Sequence, residues 1–193
     1  MLGKAHKHLH ARARSDSALM LAYRTGDAKA FELLYVRYKD SLFAYFRRNT
    51  NDEALSRELF QDVWMSVIQG RDKYQDTAPF NRWLYRIAHN RLVDHYRYVH
   101  SRSQTETLDN ARVSTLAAPL QPQEIVAASE DRERLNRAIQ QLPLPQRDVF
   151  VMRMQWRLGL SEIADIVGES RETIKSRLRY AGNKVRAYLR GES

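Results

Sequence analysis

The sequence predicts an all-α protein of two small helical domains joined by a flexible linker, the C-terminal one containing a helix-turn-helix. Apolar residues recur at three- and four-residue steps over most of the chain, whereas strand-like alternation is hard to find. Only seven glycines and five prolines interrupt the 193 residues. Residues 101–123 are polar, contain two prolines and show weak periodicity, which is typical of a linker. We therefore expect a basic disordered tail at 1–16 and domains at 17–100 and 124–193.

The charge balance indicates a polyanionic partner. Lysine and arginine total 32 against 23 acidic residues, a net charge of +9, so nucleic acid is the first candidate and an anionic membrane surface the second. No apolar run approaches the ~18 residues of a membrane span, and no apolar segment follows the basic tail as in a secretory signal. The absence of cysteine excludes disulfides, thiolate zinc sites and thiol nucleophiles. We expect a soluble cytoplasmic protein without membrane insertion, cofactor or metal.

Four helices are predicted in the N-terminal domain. The second begins at a side-chain cap, because Asp can accept hydrogen bonds from the free N–H groups of a first turn. The third ends at a glycine, which favours helix termination. The predicted helices are residues 17–24, from Asp27 through Tyr45, from Asn51 or Asp52 to Gly70, and residues 80–99.

Helical patterning returns near Glu124, and the segment 160–179 has the spacing of a helix-turn-helix. Ala164 precedes Gly168 by four residues, and Ile174 follows that glycine by six. Two steeply crossing helices leave room only for a small side chain at Ala164, and the turn needs the positive φ that glycine tolerates. The predicted helices are residues 124–142, 146–157, 160–167 and 171–189, with a break at Pro143 and Pro145.

The last of these helices has the composition of a DNA-reading helix. Ser170 is a good N-cap, and residues 171–190 contain seven basic residues and one acidic residue. The first turns of such a helix enter the major groove, whereas the alternative is a solvated basic face. Arg171, Glu172 and Lys175 suit base edges, and Arg177 and Arg179 suit phosphates. The full set of predicted contacts is Ser170, Arg171, Glu172, Thr173, Lys175, Ser176, Arg177 and Arg179.

The helix at 80–99 combines arginines with aromatic residues. Residues 77–102 contain five arginines and one acidic residue, and rings stacked on bases beside cations suit a single-stranded nucleic acid. The competing interpretation is that the rings are core, and for Trp83 we expect the core. On the more polar side of this helix we expect exposure of Arg86, His89, Asn90 and Arg97.

The helix that ends at Gly70 presents a different surface. Glu58, Gln61, Asp62 and Met65 lie outside its apolar stripe. A strip that is both acidic and apolar suits a protein partner better than DNA, although composition alone is equally consistent with a solvated face.

Four stretches in one order resemble the small two-domain sigma factors of bacterial RNA polymerase, the extracytoplasmic-function kind. The segment WLYRIAHN at 83–90, followed by Asp94, is the most specific of them. The other stretches are GDAKAF at 26–31 continuing to Tyr38, ELFQDVW at 58–64, and a C-terminal set formed by Leu142-Pro143, RDVF at 147–150, EIA at 162–164 and TIKSRL at 173–178.

The resemblance implies a non-catalytic factor that binds the β′ and β subunits of core polymerase and directs promoter-specific initiation. The stretch at 58–64 matches the segment that docks on a β′ coiled coil, and the helix-turn-helix matches the reader of the −35 element. Loop 72–79 and the helix after it match the region that recognises and melts the −10 element, with Asn90 beside the flipped base. The linker in this family threads toward the RNA exit path, and an anti-sigma protein often holds its members inactive. The residues implied are Glu58, Leu59, Phe60, Gln61, Asp62, Trp64 and Met65 for polymerase, and Arg82, Arg86, His89, Asn90 and Arg97 for the −10 element.

Three features depart from the family pattern. Ser161 is out of register as a cap, which leaves open where the helix at 160–167 begins. Gly182 costs about 1 kcal/mol relative to alanine in a helix interior and favours fraying beyond it. The tail contains His6, His8 and His10. We interpret this tail as an additional phosphate contact or an expression remnant in preference to a metal site.

Two other functions compete with the sigma-factor reading. A conventional helix-turn-helix regulator would bind DNA without polymerase. A small nuclease would need His89, Asp94 and His95, but Asp94 and His95 point about 100° apart on a helix, which is poor geometry for shared ligation.

Overall fold

A computed structural model describes residues 14–105 and 126–191, with the side chains of 103–105 and 126–129 left aside. Residues 106–123 of the predicted linker and the histidines of the tail therefore lie outside the described residues, whereas residues 101–105, which were also assigned to the linker, belong to a helix. Within the described ranges the regular structure is helical and contains no β-strand, as predicted. The helices are α1 (Asp16–Arg24), α2 (Ala28–Thr50), α3 (Glu53–Gln69), α4 (Phe80–Thr105), α5 (Val126–Gln140), α6 (Leu144–Trp156), α7 (Leu160–Val167) and α8 (Arg171–Arg190), with a 3-10 turn at Arg71–Lys73.

Side-chain caps fix the starts of the N-terminal helices. The Ser15 hydroxyl accepts from the N–H of Ala18 at 3.2 Å, ahead of α1. Asp27 accepts from the first N–H groups of α2, and Asp52 accepts from Leu55 N–H at 3.1 Å in α3. Each cap satisfies donors that have no partner inside the helix. The predicted starts of α2 and α3 and the end of α3 before Gly70 are confirmed.

The four N-terminal helices enclose an apolar core. Leu34 and Leu42 from α2, Val63 from α3 and Leu84 from α4 are fully buried in it. Trp83 is half-buried against the same cluster, which confirms the core interpretation of that ring. The apolar stripes read from the sequence therefore face one another.

The predicted break at Pro143 occurs between Gln140 and Leu144, but two details of the C-terminal helices differ from the prediction. α6 begins at Leu144, so Pro145 lies in its first turn, where a missing N–H costs nothing. α8 continues past Gly182 to Arg190. Ala181 and Val185 on either side of that glycine are buried against Ala138 and Leu142, and this packing outweighs the low helix propensity of glycine.

The helix-turn-helix has the predicted turn but a different N-terminal cap. Gly168 adopts φ +75° and its N–H donates to the carbonyl of Ala164 at 2.8 Å. At the start of α7 the N–H of Gly159 donates to the Glu162 carboxylate at 2.8 Å. Glu162 thus satisfies the first donor, and Ser161 is not needed as a cap.

The C-terminal helices pack directly on the N-terminal ones. One buried cluster contains residues of both halves, and α6 and α7 contact α2 and α4 respectively. Trp156 at the end of α6 stacks between Tyr45 and Tyr85, with ring centroids 4.4 Å and 3.6 Å away. The two helical units therefore share an aromatic interface that the sequence did not predict.

Two glycine substitutions are expected to change stability in opposite directions. Gly168→Ala places a side chain at positive φ and lowers the free energy of unfolding by about 1 kcal/mol. Gly182→Ala lies in a helix interior where the added Cβ meets only the Arg186 guanidinium at 3.7 Å, so it raises that free energy by about 0.5–1 kcal/mol. Urea unfolding followed by circular dichroism measures both, and equal signs for the two changes would contradict this account.

Candidate functional site

The predicted DNA-reading helix begins with a well-formed cap. The Ser170 hydroxyl accepts from the N–H of Thr173 at 3.0 Å, while Ser170 itself has extended backbone angles. Ile174 and Ala181 are buried, so they fix the opposite face of α8 toward solvent. The positive end of the helix dipole and the first turn of side chains are therefore available to an anion.

Most predicted contacts on α8 are exposed. Arg171, Glu172, Lys175, Ser176 and Arg179 are exposed, and Thr173 and Arg177 are half-buried. Arg177 forms an ion pair with Glu169 at 2.8 Å, and Lys175 pairs with Glu172 at 3.5 Å. The assignment of these residues to DNA stays a prediction.

Tyr180 is an exposed aromatic residue that the sequence reasoning missed on this surface. The Arg179 guanidinium lies over its ring, 5.1 Å from the centroid. An exposed ring held beside a cation gives this part of α8 a flat apolar contact as well as charge. A large aromatic residue directly after Arg179 in a basic helix was the available signal.

The strip predicted to bind polymerase lies on α3. Glu58, Gln61, Asp62 and Met65 are exposed, and Phe60 is half-buried. The side chains of Leu59 and Trp64 lie in the core, 3% and 5% exposed, so they support the strip from beneath. We call the four exposed residues the α3 strip.

The residues of α4 that we predicted to contact the −10 element fall into two groups: some are exposed to solvent, and others contact α7. Asn90 and Arg97 are exposed, as expected, and the Arg97 guanidinium lies 3.9 Å from the Asp94 carboxylate. Arg82 instead lies 3.6 Å from both Glu162 and Asp165 of α7. Arg86 remains exposed but donates to the backbone carbonyl of Asp165.

His89 is buried, so the expectation that it would be exposed is wrong for this arrangement of the helices. Its side chain is turned toward α6, where Nδ1 lies 2.7 Å from Asp148 Oδ2. The hydroxyl of Tyr45 donates to the other carboxylate oxygen of Asp148 at 2.6 Å. We call Tyr45, His89 and Asp148 the interdomain cluster.

In the interdomain cluster both oxygens of the buried Asp148 carboxylate have hydrogen-bond partners. Asp148 is 3% exposed, and an unpaired carboxylate at such a depth would carry a large desolvation cost. Burial, followed by the negative charge of Asp148 and their hydrogen bond, raises the pKa of Tyr45 well above its usual value. Tyr45 therefore remains a protonated donor at neutral pH, and each donor comes from a different N-terminal helix.

Arg147, next to Asp148 in α6, forms a second hydrogen-bonded connection between the C-terminal and N-terminal halves of the protein. Its guanidinium donates to the carbonyl of Asn49 in α2 at 2.6 Å, and to the carbonyls of Gln140 and Leu142 at 3.0 Å each. Burial lowers the pKa of Arg147 from its ordinary value. The RDVF stretch thus supplies one basic and one acidic residue, Arg147 and Asp148, and each of them hydrogen-bonds to the N-terminal half.

The loop ahead of α4 forms one wall of a cavity of about 460 Å³. Gln75 and Thr77 line it from the loop, and Trp83 and Arg86 line it from α4. Its opposite wall is the helix-turn-helix, with Ala164, Asp165, Ile166, Gly168 and Glu169.

The arrangement of the ionisable side chains does not favour the nuclease alternative. Within residues 14–105 and 126–191, no group of three His, Asp or Glu side chains is arranged to hold a metal ion. His89 faces Asp148 instead of Asp94. Among the helices described, none combines the length and the apolar character required to cross a bilayer.

The chain matches two family models, in the order the sequence motifs predicted. Residues 34–102 match Sigma-70 region 2, and residues 138–187 match Sigma-70, region 4. The ECF RNA polymerase sigma factor BldN of Streptomyces coelicolor is 27% identical over 188 residues, covering 94% of this chain and 70% of the relative. SigL of Mycobacterium tuberculosis is 28% identical over 164 residues, covering 84% of this chain and 90% of the relative.

Solved structures share the fold. CnrH, in complex with the cytosolic domain of CnrY, matches with a TM-score of 0.69 and 23% identity over 93% of this chain and all of that one. The sigma factor RpoE of Bartonella quintana, in complex with the anti-sigma factor NepR, matches with a TM-score of 0.70 and 20% identity over 86% of this chain and 99% of that one.

Duplex binding through α8 should depend on salt. Each cation placed near a phosphate releases counterions, so Arg179→Ala, at a predicted phosphate contact, is expected to reduce the slope of log K against log salt by about 1. Arg57→Ala on α3 removes the same charge from another face and is expected to leave the slope unchanged. Fluorescence anisotropy with a labelled 30-base-pair duplex measures both, and equal slopes for Arg179→Ala and the unaltered chain would contradict the phosphate contact assigned to Arg179.

Proposed function

Because this chain belongs to the extracytoplasmic-function sigma factors of the sigma-70 family, we propose that it binds core RNA polymerase and directs it to a two-element promoter. Region 2 lies within the first four helices and region 4 within the last four. In this proposal the functional domains are residues 17–100 and 124–193. The observation that carries the function is the presence of both sigma regions, in order, on two helical units that present different surfaces.

The polymerase contact is assigned to the α3 strip. Its carboxylates and the Met65 side chain offer charge and apolar area together, which suits a protein surface better than a phosphate backbone. Leu59 and Trp64 hold the strip in place from the core. The β′ subunit is the partner that the family resemblance implies for this segment, and β is the second polymerase partner.

The two DNA contacts are assigned to α4 and α8. In this proposal the first turns of α8, which are exposed, read the −35 duplex in a major groove. Loop 72–79 and the polar side of α4 are assigned to the −10 element, with Asn90 beside a flipped base. A tether between two readers raises effective affinity, because the second contact becomes intramolecular.

The remaining parts of the proposal follow from that role. The protein acts in the cytoplasm with polymerase and has no catalytic function of its own. Two structural relatives are in complex with other proteins, in one case an anti-sigma factor. An anti-sigma protein that covers the polymerase- and DNA-binding surfaces is therefore proposed for this chain as well.

Run-off transcription on genomic fragments with purified core polymerase tests the whole proposal. We expect discrete transcripts only when both the protein and core polymerase are present. Failure to bind core polymerase would overturn the proposal. Tight binding of the isolated protein to an operator of two-fold symmetry, without polymerase, would instead favour a conventional regulator.

A charge reversal on the α3 strip should weaken polymerase binding selectively. Asp62→Arg is expected to reduce affinity for core polymerase at least about tenfold, or roughly 1.4 kcal/mol, because it places like charge at a contact that selects an acid. Glu133→Arg makes the same charge change at an exposed position of α5 and is expected to have no such effect. Size-exclusion binding or anisotropy measures both, and equal losses would point to net charge instead of a specific contact.

A further inference from the structure

A cavity of about 240 Å³ lies between the end of α2 and α5. None of the described residues that line it is acidic, and none is assigned above to polymerase or to DNA. From this lining we infer that the cavity is a binding site for a compact anion with two phosphoryl groups. The lining includes Arg47, Arg48, Asn51, Asn136 and Gln140, with the ring of Phe43.

Positive charge is concentrated at this cavity. Arg47 and Arg48 are half-buried in the last turn of α2. Burial, and then the positive charge of Arg132 on α5, lower the pKa of Arg48, so a third cation acts on the same place. Like charges repel most strongly where water is partly excluded, and a bound anion would relieve that repulsion.

The acid closest in effect to Arg47 has another partner. The hydrogen bond and charge of Arg57, and to a smaller extent the charge of Arg47, lower the pKa of Glu53. The Glu53 carboxylate forms its ion pair with Arg57, four residues along α3. Arg47 is therefore left without a bonded acid within the described part of the chain.

A competing explanation is that the two arginines only complement the carbonyl groups at the end of α2. Those carbonyls have other donors. The Arg48 carbonyl accepts from the Gln140 side chain at 2.7 Å, and the Asn49 carbonyl accepts from Arg147 at 2.6 Å. Among residues 14–105 and 126–191, no group accepts a hydrogen bond from the Arg47 guanidinium, which is thus available to a ligand.

The chemistry of the lining selects the kind of anion. A guanidinium binds phosphate oxygens through a planar fork of N–H donors. Two adjacent arginines, one of them held by donation from Nη1 to the Gln155 side chain, can each take one phosphoryl group. The amides of Asn51 and Asn136 can donate to the remaining oxygens.

The size of the cavity limits the ligand. Its volume of about 240 Å³ is below the ~300–1,000 Å³ of pockets that hold drug-sized molecules. The occupant is therefore inorganic pyrophosphate, or the diphosphate of a nucleotide whose base stays outside. Because the arginines lie on α2 and Asn136 lies on α5, the bound anion contacts both helical units.

Calorimetric titration of the full-length protein with sodium pyrophosphate tests the site. In magnesium-free buffer at about 0.15 M ionic strength, we expect saturable binding of one pyrophosphate per chain. Pyrophosphate should bind at least about tenfold more tightly than inorganic phosphate, because only the diphosphate reaches both arginines. No saturable binding, or equal affinity for the two anions, would overturn the inference.

Three variants separate a built site from general attraction by charge. Arg47→Ala is expected to weaken pyrophosphate binding about tenfold, whereas Lys184→Ala removes the same charge from an exposed position of α8 and should change it less than about twofold. Asn136→Ala keeps the net charge and should still weaken binding at least about threefold, since it removes an amide donor. Equal losses for the two charge variants, or no loss for Asn136→Ala, with native circular dichroism throughout, would overturn the site.

Nucleotides distinguish the two sources of the diphosphate. ADP that binds at least as tightly as pyrophosphate, with weak binding of AMP, would identify a nucleotide. Weaker binding of ADP than of pyrophosphate would identify the free anion. If Arg47→Ala weakened binding of labelled dT20 as much as it weakened binding of pyrophosphate, the cavity would belong to a nucleic-acid surface and the small-anion site would be excluded. All these measurements use the protein without polymerase, so failure in run-off transcription leaves the inference standing.

Discussion

The packing of the C-terminal helices on the N-terminal ones depends on one buried carboxylate. Asp148 of α6 lies between the Tyr45 hydroxyl of α2 and the imidazole of His89 in α4, and both donors belong to the other half of the protein. A carboxylate at that depth is tolerated only when its oxygens are hydrogen-bonded. The stacking of Trp156 between Tyr45 and Tyr85 supplies apolar burial around the same point. Because the acid and the ring lie on one helix, their partners fix both the position and the rotation of α6.

The position of α6 also determines the position of α7. As a result the charged residues are distributed unevenly over the surface, which the net charge of +9 does not show. The carboxylates of Glu162 and Asp165 lie 3.6 Å from Arg82 of α4, while Arg171, Lys175 and Arg179 of α8 are exposed. One arginine of α4 is thereby paired with acids of α7, whereas most of the basic residues of α8 stay exposed. Charge composition alone predicts a nucleic-acid partner, but the acids that a fold places against those cations govern access to them.

The sequence predicted the ends of the helices correctly where the deciding interactions join residues that are close together in the chain. Side-chain caps at Asp27, Asp52 and Ser170 and the positive φ of Gly168 involve neighbours only a few residues away, so the sequence contains the whole interaction. Two details were misjudged, the start of α6 and the fraying expected beyond Gly182, and they have different causes. Pro145 is harmless because it lies in a first turn, and the helix continues through Gly182 because residues from α5 and α6 pack beside it.

The sequence by itself determined the helical class, the helix-turn-helix, the acidic and apolar strip of α3, and the family, because periodicity, capping and motif spacing act over short distances along the chain. Only the tertiary structure decided that His89 faces inward, that Arg82 and Arg86 meet α7, and that Arg147 bridges to Asn49. These pairs are separated by 59 to 98 positions in the contacts that define them. No spacing rule spans such separations, since the contacts form only when independently folded surfaces match in shape and in hydrogen-bonding groups.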